Sequence, residues 1–262
     1  MEILGYFLAF FIGSTLGLIG SGGSIIAVPV FVYIFHIAPA TATAYSLFTV
    51  GITALVGTVQ KSKQRLIVLD KVLLFGIPTV SSVFITRKFI LPYIPDVITI
   101  GSIFNLKKAV VIMLFFALFM IFAAIKMIRP TKDNKQLEQT NYFKIVFIGL
   151  LIGFIAGFVG AGGGFLIVPS LIFLTKISMK KAVGTSLVII AFQSLLGFLG
   201  DITNNCIMDW QLLLTFTSIA IIGIFIGNFA SKKVDGGKLK SSFGYFILLV
   251  AIFIIIMEVF IP

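Results

Sequence analysis

Two glycine-rich tips, Gly20-Ser21-Gly22-Gly23-Ser24 and Gly160-Ala161-Gly162-Gly163-Gly164, each stand directly before a short apolar run with a proline inside it, Pro29 or Pro169. The glycines break a helix and the next run restarts one, so each tip leaves backbone N–H groups without helical partners and without side chains to keep a ligand away. Free donors at the positive end of a helix dipole suit an anion. In hydrocarbon, irregular backbone is tolerated only where it is buried in protein or lines a cavity, as in the broken helices of inverted-repeat transporters. The chemistry expected of Ser21, Gly22, Gly23, Ser24, Ala161, Gly162, Gly163 and Gly164 is therefore recognition of an anion, with no bond made or broken.

A second set is hydroxylic. Tyr45-Ser46-Leu47 is matched by Thr185-Ser186-Leu187, so Ser46, Thr185 and Ser186 are candidate donors to a polar solute. The alternative is that each hydroxyl bonds back to its own helix carbonyl. Gln193, opposite Thr53 in the second copy, is a further polar residue within a span. The nine carboxylates (Glu2, Asp70, Asp96, Asp133, Glu138, Asp201, Asp209, Asp235, Glu258) fall in loops or near segment ends, and His36 ends a short helix, so no proton relay is expected in the core. With one cysteine, Cys206, and no Ser-His-Asp grouping, metal-ligand cluster or P-loop, the chain offers nothing for an enzyme, a cofactor, a metal or ATP.

These residues sit in a duplicated unit. Residues 10–57 laid on 150–197 at a constant shift of 140 match at 14 of 48 positions, six of them glycines. At 59% hydrophobic and 11% charged residues, with a mean hydropathy of +1.18, the chain is too apolar for a water-soluble core. Apolar runs at 3–20, 24–36, 42–59, 72–86, 109–128, 143–159, 164–175, 182–199, 211–230 and 243–261 make it a polytopic membrane protein. Most can span a hydrocarbon core of about 30 Å. The runs at 24–36 and 164–175 reach only about 18–20 Å and read as half-helices or re-entrant segments. Gly13, Gly17, Gly153 and Gly157, like Ser82 with Thr86 and Gly223 with Gly227, have the spacing that lets helices cross closely, and packing is their expected role.

Loop charge gives the topology. Loops at 59–71, 126–144, 175–182 and 231–241 are basic, while 37–41 and 200–209 carry no Lys or Arg. Basic loops in the cytoplasm put both termini outside. Equivalent loops of the two copies then carry opposite signatures, so the copies are inverted. The region 87–108, with Arg87, Lys88, Lys107 and Lys108, breaks the pattern. The fold expected is all-α, with two inverted-topology repeats of about five helical segments each: an N-terminal repeat at 1–128, a polar linker at 129–141 and a C-terminal repeat at 142–262. The net charge of +11 is accounted for by these loops and by anionic lipid, and no nucleic-acid partner is expected.

The second copy carries Gly157-Phe158-Val159-Gly160-Ala161-Gly162-Gly163-Gly164, Val168-Pro169 and Gly184-Thr185-Ser186-Leu187, with Asp209-Trp210 before the ninth segment. In these motifs the chain resembles the TauE/SafE family of sulfite and organosulfonate exporters over essentially its whole length. The first copy departs from them at Ser24 and at Ala44-Tyr45. The resemblance implies a membrane transporter of small sulfur-containing anions in the bacterial inner membrane. Its partners would be the anion and the bilayer, and a coupled proton or other ion and a homo-oligomer are both compatible with it. Alternating access is the expected mechanism, with the two tips meeting near the midplane; a channel-like anion pore and a non-transporting scaffold or assembly factor are the rival readings.

Overall fold

In a computed structural model of the protein, residues 2–20, 22–90, 93, 97–100, 104–107, separate positions between 110 and 128, 142–159, 164–202, 208–234 and 236–260 are described. The fold is all-α. In the first repeat, α1 is Glu2–Ile19, α2 is Gly22–Pro29 continued by a wider π-helical turn at Val30–Ile34, and α3 is Pro39–Lys63. Next come α4 at Leu69–Ile90, which contains π-helical turns at Val72–Gly76 and Thr86–Ile90, and α5, whose described residues lie within 110–128. The second repeat gives α6 at Tyr142–Val159, α7 at Gly164–Thr175, α8 at Met179–Ile202, α9 at Trp210–Ser231 and α10 at Gly236–Phe260. The starts of α1 and α3 and both ends of α1 recur 140 residues later in α6 and α8. One element departs from the helical expectation: Val97–Ile100 (β1) pairs antiparallel with Phe104–Lys107 (β2) between α4 and α5.

Local chemistry explains the boundaries. Pro29 cannot donate to its helix and widens the turn that follows. His36 and Lys176, again 140 apart, both adopt left-handed backbone (φ 53° and 52°) and end the second helix of each repeat. Asp209 caps α9, its Oδ1 accepting from Gln211 N and Leu212 N at 3.0 and 3.1 Å. Among the described residues, four helices, Pro39–Lys63, Leu69–Ile90, Met179–Asp201 and Trp210–Ser231, are long and apolar enough to cross a membrane. Phe7, Leu55, Ile77, Phe147, Phe154, Phe225 and Leu249 stand exposed on the outer surface, as lipid-facing residues do.

The packing is interlaced. A Cβ built on Gly13 would overlap Ala220 O and one on Gly17 would sit 2.6 Å from Asn228 N, so α1 lies parallel to α9 of the other repeat at backbone contact. The same relation recurs between α6 and α4, where Gly149 faces Phe75 and Gly157 would place a Cβ 2.7 Å from Thr86 Cβ. The small residues of these four helices thus do the close packing expected of them. Across the middle, a Cβ built on Gly57 would lie 3.2 Å from Leu187 Cδ1 and one on Gly197 3.3 Å from Leu47 Cδ1. Residue numbers rise along α3 as they fall along α8, so these two helices are antiparallel, and each contact is the other shifted by 140. These matched contacts fit a pseudo-two-fold axis across the helices, centred near residues 52 and 192. Each of two bundles takes its first and third helices from one repeat and its fourth from the other: α1, α3 and α9 in one, α6, α8 and α4 in the other.

Candidate functional site

Ser46, Thr53 and Ser194 lie on the two crossing helices, fully buried, and among the described residues their hydroxyls have no hydrogen-bond partner. Thr53 is one residue from the centre of the crossing, and Gln193, its counterpart, is buried beside Ser194 on α8. On the same stripe of α3, Thr49 Oγ1 shares a 3.1 Å hydrogen bond with Thr217 of α9, and Gln60 Oε1 accepts from Asn228 Nδ2. A mostly apolar bundle therefore holds a line of polar groups along its two central helices, three of whose hydroxyls have no partner among the described residues.

The expected donors are placed differently from one another. Ser186 Oγ donates to Val183 O at 2.9 Å and reaches Gly20 O at 3.5 Å, which ties the first tip to α8. Gly20 has φ +83°, and a Cβ there would meet Ser186 Oγ at 2.8 Å, so both its conformation and its neighbour require glycine. Thr185 Oγ1 accepts from Val68 N at 3.1 Å and holds the loop between α3 and α4. Gly23 packs on Ile12 O of α1, and Ser24 and Gly164 are buried at the starts of α2 and α7. Gly22 opens α2. Ser21, Ala161, Gly162 and Gly163 lie outside the described residues.

The described residues next to the two tips lie at different levels of α8. Gly20 rests on Val183 near the start of α8, whereas Gly157, three residues before the second tip, packs on Thr86 beside Arg87, which reaches the end of α8 at Asp201. Those two levels of α8 are about 27 Å apart at 1.5 Å per residue. The physical reason is the length of the helices that carry the tips: α1 and α6 have 18 residues each, enough to cross to the opposite face before they break. Ser46 and Ser186 are likewise about 18 Å apart along the crossing.

Each end of the bundle holds a buried charge that the sequence did not single out. At the first, Lys61 is 2% exposed and donates to Ser231 Oγ at 2.7 Å. Around it Lys180 Nζ reaches Lys232 O at 3.4 Å, so three of the four basic loops gather at this end, as their charge predicts. At the other, the Arg87 guanidinium, 1% exposed, pairs through Nη1 with Asp201 Oδ2. This corrects one expectation: Arg87 belongs to a span and not to an irregular basic loop. Asp201 stands near the end of α8, as expected of a carboxylate here, but is buried, at 8% exposure. The signal was present: an acid and a base at the ends of two apolar runs offset the cost of burial by pairing. Among the described residues no group of three or more His, Cys, Asp or Glu side chains is placed to hold a metal.

Comparison with known proteins agrees with this architecture. The family described as "Sulfite exporter TauE/SafE" matches residues 6–254. A "Probable membrane transporter protein" of Xylella fastidiosa (strain Temecula1) is 26% identical over 252 residues, covering 93% of this chain and 91% of the relative. One of Haemophilus influenzae with the same description is 28% identical over 261 residues, covering 92% of each. The "Probable membrane transporter protein YdhB" of Bacillus subtilis is 26% identical over 239 residues, covering 89% of this chain and 91% of the relative. No solved structure matches the chain significantly. The chain belongs to the sulfite exporter TauE/SafE family and is a multi-pass membrane transporter.

Proposed function

We propose that this transporter carries small sulfur-containing oxyanions, sulfite and organosulfonates among them, by alternating access across a bacterial inner membrane. The observation that carries the reading is the set of open hydroxyls of Ser46, Thr53 and Ser194 on the central pair α3 and α8. Moving an anion into a bundle of low polarity strips its water, and aimed neutral donors replace part of that shell without a buried charge of their own. The backbone N–H groups of Gly22, Gly23, Ser24 and Gly164, with those of Ser21, Ala161, Gly162 and Gly163, are then donors at the two mouths of the path, and Thr185 and Ser186 line the first. The bodies that rock are the mixed bundles α1–α3–α9 and α6–α8–α4. Their joint is the pair of close contacts that Gly57 and Gly197 make.

The experiment is flux of sulfite and sulfoacetate into proteoliposomes, with and without the same anion inside. Saturable uptake accelerated by internal anion, and reduced at least about tenfold when Ser46→Ala and Thr53→Val are combined, is the expected result, since each lost donor to an anion is worth one to two powers of ten. Current that rises with voltage and never saturates would replace the carrier with a pore. Absence of flux for every sulfur oxyanion would overturn the substrate assignment.

A further inference from the structure

We infer that Arg87 is itself an anion-binding residue, taking an oxyanion on the Nε–Nη2 edge of its guanidinium while Asp201 holds Nη1. The assignment rests on the anion reading above and adds to it a charged site that lies apart from the hydroxyl line and the first tip. The guanidinium is 1% exposed within a span, in the π-helical turn Thr86–Ile90, an irregularity common at functional positions. Its contact with Asp201 uses Nη1 alone, and among the described residues Nε and Nη2 have no hydrogen-bond partner.

Arginine cannot shed its charge here, so the open donors are those of a cation in a medium of low polarity. A pair that served packing alone would gain most from two parallel bonds to the carboxylate. The edge left open is the one that matches two oxygens on a single atom, as in sulfite, a sulfonate or a carboxylate. The helix beside it makes room. Gly197 and Gly200 of α8 face Arg87, and among the described residues the only atom within 4 Å of a Cβ built at Gly200 is Arg87 Cβ, at 3.8 Å. The site lies at the end of the bundle opposite Lys61 and the gathered basic loops, beside the helix that leads to the second tip. Asp201 competes with the incoming anion for the same cation, so the anion is held without being trapped.

The test titrates the purified full-length protein with sulfite, sulfoacetate and chloride while following thermal unfolding. The wild type is expected to be stabilised by the two oxyanions and not by chloride, which as a single atom cannot bridge both donors. Arg87→Lys keeps a cation opposite Asp201 but loses the fork, and should lower the apparent oxyanion affinity on the order of tenfold. Asp201→Asn keeps an acceptor at Nη1 and removes the competing charge, so it should raise the affinity several-fold even though its unliganded melting temperature falls. A pair with only a structural role would lower the melting temperature in both variants and leave affinity unchanged. Wild-type affinity in Arg87→Lys overturns the assignment and leaves the anion reading standing. No shift of the wild type with either oxyanion overturns both.

Discussion

Lys61 and Asp201 occupy the same position in the two repeats, 140 residues apart, and carry opposite charge. Each sits near the end of a central helix and is anchored by the fourth helix of the other repeat, Lys61 on Ser231 of α9 and Asp201 on Arg87 of α4. The duplication therefore preserved where a buried polar anchor stands and not what it is. The two ends of the bundle differ as a result: one presents an ammonium held by a hydroxyl, the other a cation with its counter-ion. A path between such ends is directional in its electrostatics even though its backbone is nearly symmetric.

Breaking the Arg87–Asp201 pair from one side should cost more than removing it whole. Arg87→Met leaves a buried carboxylate and is expected to destabilise the protein by about 3–5 kcal/mol, whereas Arg87→Met combined with Asp201→Leu should recover most of that loss. Thermal unfolding of the two variants in detergent, set beside Asp201→Leu alone, gives the coupling between the residues. Equal loss in the single and double variants would show that the pair is not what holds these helices together.

The glycine contacts predict a sharp contrast between two residues of the same type. Gly17→Ala would place a Cβ 2.6 Å from Asn228 N in the backbone of α9, which has no flexible end to give way. The cost should be at least the roughly 1–3 kcal/mol of an overpacked site. Gly200→Ala meets only Arg87 Cβ, at 3.8 Å among the described residues, and should leave the melting temperature almost unchanged. If the two variants melt alike, the parallel contact between α1 and α9 is looser than described.

Much of this arrangement was legible before any coordinates. Six repeated glycines and the 140-residue shift located the elements of both repeats, and several of these glycines meet a backbone need: Gly13, Gly17, Gly153 and Gly157 lie against another helix, and Gly20 requires positive φ. Loop charge grouped three of the four basic loops at one end. The exchange of fourth helices was not legible, since periodicity shows that a helix has a packing face and not which neighbour covers it. Arg87 was hidden by its own charge: an arginine at the edge of an apolar run reads as the start of a loop until a carboxylate from another helix is found beside it. The separation of Gly20 from Gly157 followed from the length of α1 and α6, which was in the sequence. What the run lengths did not reveal was that these helices cross completely before breaking.

Thr185 fixes the loop that joins α3 to α4, and its loss should be felt there first. Thr185→Val removes the acceptor for Val68 N and is expected to cost about 1 kcal/mol, the usual worth of a hydroxyl that satisfies a backbone donor at a helix start. Limited proteolysis between 64 and 68 should speed up in this variant, while Ser186→Ala leaves that loop protected. Unchanged cleavage in Thr185→Val would mean that the loop is held by its other contacts, among them Leu66 O against Gly184.

The pseudo-two-fold axis makes a demand that pairs of cysteines can check. In a Cys206→Ser background, Leu47→Cys with Gly197→Cys and Gly57→Cys with Leu187→Cys join positions related by the axis, where a Cβ built on each glycine would lie 3.3 and 3.2 Å from the leucine Cδ1. Both pairs should cross-link with short thiol reagents, and at similar rates, because the same geometry occurs twice. Ser46→Cys with Ser186→Cys pairs equivalent positions that an antiparallel crossing holds about 18 Å apart, so it should resist reagents shorter than that span. Parallel central helices would reverse the pattern, bringing 46 and 186 together and separating 47 from 197. Cross-linking of the 46–186 pair alone would thus exclude inversion, whereas cross-linking of the other two pairs fixes both the direction of α8 and the position of the axis.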